Sequence, residues 1–525
     1  MKKSIFQAAL LVGIAFDILF WEKIPGISFP FFVAITLAVG FLILKKEKIR
    51  LAKASVVPII FILLFSVMAA VRKEPLTSFL NIVAVLGLMM LLAMTYQGAQ
   101  WIFYGLREYL NRFFRFLGVV LVNPVLFNNQ PDQQISSEDK RSWWAVLKPV
   151  LRGVLLALPV LLVFTALFAS ADLVFAEKVK SLRELFRLED LPEYLFRTFL
   201  VLAISYIYLG AVVFAARHSQ SSHTTGADTP RLQPFLGFTE STIILSSVLV
   251  LFALFILIQI EYFFSGQVNI SSQGFTYAEY ARRGFGELVV VALFSILLIK
   301  CLQVISKRNP GLQARIFTWL ALGIVVLVLV VLWSANQRLV LYESAYGFSR
   351  SRAYAHVFII WLAFMLVGMA FIELIRHKQA FINIGMTAAL GFALTLNIMD
   401  MDRFIVNNNI AQAQQGMELD VAYLSSLSAD SIPALVQSYQ SGDHPPEVQD
   451  GVGAALVCLQ ETRLMSSNSG RPWQSFHFSD WAAEKSLQPL QQDLNQYRIE
   501  KKVWEIQVVS PDGQLYPCQG GFLFD

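Results

Sequence analysis

Two stretches of this chain concentrate the side chains that could do chemistry. Residues 275–287 read Phe-Thr-Tyr-Ala-Glu-Tyr-Ala-Arg-Arg-Gly-Phe-Gly-Glu, and residues 336–356 carry Arg338, Tyr342, Glu343, Arg350 and Arg352. At helical spacing Tyr277, Tyr280 and Gly284 share one side, while Glu279, Arg282, Arg283 and Glu287 form a charged arc. Planar guanidinium forks suit phosphate and carboxylate oxygens. Arg282, Arg283, Arg350 and Arg352 are therefore read as a pocket for an anionic group, with Glu279, Glu287 and Glu343 orienting them and Arg338, Tyr277, Tyr280 and Tyr342 completing it. The competing reading stays open: Tyr and Arg are ordinary anchors at a bilayer boundary, and Glu–Arg pairs there satisfy each other.

Other chemistry lacks its pattern. No His-Glu-x-x-His helix and no phosphate-cradling Gly-x-x-x-x-Gly-Lys loop occur, and Gly451-x-Gly453 is followed by Leu456 where a third glycine belongs. Ser137 and Lys140 match a serine–lysine spacing only inside a polar linker. His218 and His223 lack further metal ligands nearby in sequence. No metal or cofactor is expected, and an intramembrane enzyme is the least supported class.

The elements that must position these residues are membrane helices. Hydrophobic residues make up 56 % of the chain and charged residues 15 %, against about 25 % charged in a soluble domain. A hydrocarbon core about 30 Å thick needs roughly 20 apolar helical residues. Eleven runs qualify, at about 4–20, 27–44, 54–71, 76–95, 146–170, 195–216, 240–263, 284–305, 316–334, 355–375 and 379–399. The expected fold is an all-α polytopic bundle over 1–399, followed by a small α+β domain over 400–525. A signal-peptide reading of 4–20 is the alternative for the first run, but Trp21-Glu22-Lys23 offers no cleavage site. Asp17, Glu240, Glu261, Glu287 and Glu373 lie in or at the ends of spans, where a mid-bilayer charge costs about 2.5–3.5 kcal/mol. Glu287 with Arg283 is the expected buried ion pair.

With the N-terminus inside, inner segments hold 22 Lys and Arg and outer ones 12; an odd number of spans then places the tail outside the cytoplasm, and one span more or fewer would place it inside. Arg72 and Lys73 fit awkwardly in an outer loop. Residues 400–525 hold 16 acids against 7 bases, while the full chain carries +5. The basic surplus thus marks membrane anchors rather than nucleic-acid binding. Cys458 and Cys518 would pair in an oxidising compartment or remain as two thiols; both readings stay open.

Segments 101–117 and 173–190 are amphipathic and read as interfacial helices. In the tail, helical periodicity runs through 420–440, 446–464 and 479–496. Residues 503–508 alternate at period two, and Ser510-Pro511-Asp512-Gly513 turns the chain back through 514–516.

Three passages resemble a known family: Asp17 to Pro30, Tyr277-Ala-Glu-Tyr-Ala-Arg-Arg-Gly-Phe-Gly-Glu-Leu288, and Tyr342 to Arg352, together with Leu419 to Leu435 after the last span. They are similar to bacterial multi-spanning proteins grouped as domain of unknown function 4173, with a related sister group. Gly347-Phe-Ser349 departs from a Gly-aliphatic-Thr pattern but keeps the hydroxyl. The resemblance implies a protein of the bacterial cytoplasmic membrane and supplies no activity. Two functions are expected from the residues. One is handling of an anionic or lipid-linked solute at the Arg/Tyr/Glu pocket. The other is a non-transporting sensor or scaffold whose tail meets an extracytoplasmic protein. Membrane lipids are partners in either case.

Overall fold

In a bilayer no water is available to a bare N–H or C=O, so an apolar run must close its hydrogen bonds within itself as a helix. The computed structural model describes residues 2–98, 101, 104–127, 164, 165, 172, 191–219, 234–264, 285–375, 381–467, 472–502 and 505–518. Among these, nine helices are long and apolar enough to cross a membrane, and α1 (Lys2–Phe20) contains a shorter apolar stretch. The chain is a multi-pass integral membrane protein.

The spans are α2 (Ser28–Lys46), α3 (Val56–Val71), α4 (Pro75–Thr95), α6 (Leu191–Arg217), α7 (Phe238–Phe264), α8 (Phe285–Ile305), α9 (Leu312–Tyr346), α10 (Arg350–Ile375) and α11 (Phe381–Met399). Between α4 and α6 lies α5 (Leu106–Phe127), which extends the amphipathic 101–117 segment; Leu110, Phe114 and Leu117 on its apolar face are exposed. The expected span at 146–170 and amphipathic segment at 173–190 fall almost entirely outside the described residues.

One expectation is corrected. Hydropathy placed the end of a span at 334, but α9 runs on to Tyr346. Nothing between Asn336 and Tyr346 breaks a helix, and the turn comes only at Gly347, whose φ of 74° suits a residue without Cβ. Arg338, Tyr342 and Glu343 therefore stand on the last turns of α9. The connection to α10 is only residues 347–349.

The chain divides into two units. The first comprises Met1–Trp21 and Leu117–Val213. Within it Asp17 accepts from Arg197 Nε at 3.0 Å and Nη2 at 2.7 Å, so the acid in the first apolar run has its cation. Trp21 Nε1 donates to Glu193 at 3.0 Å.

Two of the cores in the second unit, Glu22–Phe116 with Phe214–Asp525, carry most of its packing among the described residues. One lies among α7 to α10, around Leu245, Ile299, Phe317, Val328 and Leu366. The other joins Ala353 and Leu396 of the bundle to Ile405, Leu424, Ile432 and Leu456 of the tail. The charge boundary at 399/400 is thus not a packing boundary. At one end of this unit stand 22–27, 72–74, 347–349 and Asp400. At the other, Ala52 N donates to Tyr96 O at 2.9 Å and Lys307 N to Leu236 O at 2.8 Å.

The tail comprises α12 (Met401–Ala413), α13 (Val421–Ser425), α14 (Ile432–Ser441), α15 (Pro446–Ser467), α16 (Phe478–Leu487) and α17 (Gln491–Leu494). A three-stranded antiparallel sheet follows, in the order β1 (Arg498–Lys502), β2 (Glu505–Val509), β3 (Leu515–Cys518). The expected turn is present, with Gly513 N donating to Ser510 O at 2.9 Å. The extra strand β1 has one apolar residue in five, Ile499, and pairs with β2 as a charged edge.

Cys458 on α15 and Cys518 on β3 form a disulfide across a sequence separation of 60, and Cys301 is free and exposed. Replacing Cys518 by Ser is expected to cost about 2–5 kcal/mol of tail stability. The check is a thermal melt of the purified protein with and without reductant; wild type in reductant should fall to the variant's value.

Candidate functional site

Seven charged side chains of the second unit, Arg72, Lys73, Arg350, Asp400, Asp402, Asp430 and Asp480, meet where the tail joins the bundle. The sequence there is short: Arg72-Lys73-Glu74 between α3 and α4, Gly347-Phe348-Ser349 before α10, and Asp400 after α11. Pro75 opens α4, and Glu74 caps it, accepting from Leu76 N at 2.9 Å and Thr77 N at 2.7 Å. A carboxylate at a helix N-terminus meets unpaired amides and a favourable dipole. Tyr354 of α10 donates to the same carboxylate, which ties two spans together.

Arg72 reaches the far side of the junction. Its Nη1 pairs with Asp400, and its Nε and Nη2 donate to Asn397 O at 3.1 and 2.9 Å. Asn397 and Asn81, both buried, exchange amide hydrogen bonds of 3.0 and 2.7 Å between α11 and α4. Asp430 of the tail accepts from the backbone N–H of Lys73 at 2.9 Å and of Glu74 at 3.0 Å. Lys73 Nζ lies 2.8 Å from Asp480 on α16.

The strongest link is Arg350 with Asp402. Nε and Nη2 reach the two carboxylate oxygens at 2.7 and 2.6 Å, and Asp402 is fully buried. Ser428 N adds a third donor to that carboxylate at 2.7 Å. The Arg350 backbone N–H donates to Tyr423 Oη at 2.6 Å. Asn409 of α12 clasps the neighbouring turn, accepting from Phe348 N at 2.6 Å and donating to Phe348 O at 2.9 Å. A Cβ at Gly347 would lie 2.9 Å from Asn409 Oδ1, so glycine is required twice there, by φ and by space.

The residues expected to form an anion pocket divide three ways. Tyr277, Glu279, Tyr280, Arg282 and Arg283 lie outside the described residues. Glu287 stands exposed in the first turn of α8, so its expected burial is corrected: the helix begins at Phe285 and leaves it in the boundary turn. On α9 and α10, Arg350 is held by Asp402, whereas Arg352 stacks over Tyr342 at 4.2 Å and donates to the carbonyls of Tyr346 and Gly347. Arg352 also lines a groove of about 350 Å³ with Tyr346, Phe348, Glu418, Asp420 and Tyr423. Arg338 stands half-buried two turns before the end of α9.

Glu343 meets a histidine rather than an arginine. It is buried and lies 2.8 Å from His356 Nε2, while His356 Nδ1 lies 2.8 Å from Asn336 Oδ1. His356 carried no signal in the sequence, because a lone histidine in an apolar run reads as packing. Other acids near spans have local partners. Glu240 accepts from Gly237 N at 2.6 Å as a cap, and Glu373 accepts from Thr318 at 3.2 Å and from Gln303. Among the described residues no group of three His, Cys, Asp or Glu side chains is placed to share a metal ion.

Burial tunes two titrating groups of the junction. The Asp400 carboxyl is pushed up, chiefly by desolvation, with Arg72 opposing. The His477 imidazole is held below its usual range by burial, with Asp480 opposing.

A family profile described as "Domain of unknown function (DUF4153)" matches residues 59–438. The chain belongs to the DUF4153 family. The resemblance in sequence gave a different number, 4173; the family of unknown function stands and the number is corrected. No curated protein and no solved structure matches. The DUF4153 match begins in α3 and ends in α14, so it contains Arg72, Glu74, Arg350, Asp400, Asp402 and Asp430 but neither Asp480 nor the disulfide.

Two outcomes are expected. Replacing Asp402 by Asn leaves a guanidinium without its counter-charge and should cost about 3–5 kcal/mol; the melting temperature of the purified protein reads this, and an unchanged value contradicts the clamp. The second concerns pH. His477 is neutral when docked, whereas a released imidazole gains a proton near pH 6.5. The released state therefore binds more protons below that pH, and docking weakens as pH falls from 6.5 toward the depressed docked value. Asp400 acts oppositely, because its raised carboxyl takes up a proton more readily in the docked state. Protease cleavage of the tail should rise from pH 7.5 to 5.5, and His477→Gln should flatten the dependence.

Proposed function

We propose that this DUF4153 protein is a non-transporting component of the bacterial cytoplasmic membrane, a scaffold or sensor that holds its acidic tail outside the cytoplasm for a protein partner. The observation that carries this reading is the occupation of the junction's cations. Arg72, Lys73 and Arg350 are engaged by Asp400, Asp480 and Asp402, so they fix a domain in place rather than await a solute. Such pairs are weak as stabilisers but effective as position markers.

Three observations favour the outer side. The excess of Lys and Arg in the segments assigned to the inner side supports an N-terminus inside. The two basic residues of loop 72–74 have tail carboxylates as counter-ions, which relieves their awkwardness as outer-loop cations. The Cys458–Cys518 disulfide belongs in an oxidising compartment.

A second reading, handling of an anionic or lipid-linked solute, is favoured by Arg352 alone. Its guanidinium has no carboxylate ion pair among the described residues and borders the groove.

The test places a photo-crosslinking residue at exposed tail positions Ile499 and Leu515 in cells. The proposal expects one recurrent protein adduct, and a periplasmic reporter fused after Asp525 to be active. Adducts confined to lipid, with loss of copurified anionic lipid in Arg352→Gln, would instead favour the solute reading.

A further inference from the structure

The segment that opens α16 is folded inside out. In water-soluble domains aromatic rings turn inward and polar side chains outward. Here Trp473, Phe476, Phe478 and Trp481 are 58, 36, 44 and 51 % exposed, while Gln474, His477, Ser479 and Asp480 between them are buried. Grouped exposed aromatic surface of this kind marks a contact with something apolar.

What it contacts is fixed by its attachment. Ile27 N, just before α2, donates to Phe476 O at 2.8 Å. A Cβ at Gly26 would lie 2.5 Å from that same oxygen, so the tail backbone rests directly against the entry to the span. Phe31 is the fourth residue of α2 and 50 % exposed, as a lipid-facing ring of a span is. Its ring lies 6.2 Å from the Trp473 ring, edge to face. A ring in contact with the first turn of a membrane span shares that turn's depth. Trp473 is therefore at the level where headgroups meet hydrocarbon, the level that tryptophan favours.

The surrounding charges suit the same place. Lys485 lies 5.1 Å over the Trp481 ring, and Lys73 meets Asp480 directly behind the patch. A lysine beside a tryptophan at this depth can extend to lipid phosphate while its stem covers the ring.

We propose that residues 473–481 are a membrane-inserting edge of the tail, with Trp473, Phe476, Phe478 and Trp481 seated in the bilayer interface and the occupant of this surface being membrane lipid. The tail is then held twice, by ion pairs to the loops and by aromatic rings in the lipid. This goes beyond the scaffold reading and does not depend on it, since a solute-handling protein would use the same edge.

The experiment uses the full chain in vesicles of phosphatidylcholine brominated on the acyl chain near the glycerol, a contact quencher of tryptophan. Wild type is compared with the Trp473→Phe/Trp481→Phe variant, which keeps an aromatic ring at both positions. The difference fluorescence should be lost to the brominated lipid and unaffected by aqueous iodide. Phe478→Trp, in an otherwise unchanged chain, should add a further component with the same behaviour and serves if the double variant fails to fold. Quenching of the difference signal by iodide, with or without the brominated lipid acting, overturns the proposal.

Discussion

A guanidinium that leaves water at the head of a membrane helix must bring its counter-charge with it. Arg350 opens α10, and Asp402, fully buried on α12, meets it with both oxygens. Neither ion is tolerable there alone: the desolvation of each runs to several kcal/mol and is offset only by close, two-pronged pairing. The pair therefore requires α12 to sit against the α9–α10 turn, and the first helix of the tail is fixed by an element of the bundle. The Asn409 clasp on Phe348, the positive-φ turn at Gly347 and the shared core around Leu396 and Ile405 follow from that placement.

The same constraint organises the charge of the whole chain. The tail is acidic and the bundle basic. Four of the tail's acids, Asp400, Asp402, Asp430 and Asp480, do not face water generally; they meet Arg72, Arg350 and the Lys73–Glu74 backbone and ammonium at one end of the second unit. The bulk electrostatic split thus has a local meaning, since the acids are distributed to match particular loops. Glu74 shows how tightly the parts are shared, for one carboxylate caps α4 and accepts from Tyr354 of α10.

Most of the fold was legible because a bilayer leaves an apolar run few options. Ten of the eleven expected runs correspond to helices, the one in α1 falling short of the apolar length counted for a span, and the remaining run at 146–170 lies almost wholly outside the described residues. Hydropathy misplaced the end of α9, since it detects lipid contact and not the helix itself, which continued through polar residues to Gly347. It also gave no sign of α12, where the Asn407–Asn409 run interrupts the apolar residues; Ile405, Val406 and Ile410 enter the core while Asn409 holds the backbone of Phe348. The site was legible in composition but not in pairing. Arg350 and Arg352 look alike in sequence, and only the packing of α12 separates the one held by Asp402 from the one bordering a groove. Asp402 and Asp430 were hidden among 16 tail acids, and His356 among apolar neighbours.

The central claim is that the tail is seated by the Arg350–Asp402 pair, and a double-mutant cycle across that pair tests it most directly. Arg350→Met and Asp402→Leu each remove one charge, and the double variant removes both. If the ions hold each other, the double variant loses less stability than the two single losses combined, and the difference is their coupling, about 0.5–3 kcal/mol for contacting residues. Losses that simply add would mean that the two side chains do not meet, and that the tail is seated by something else.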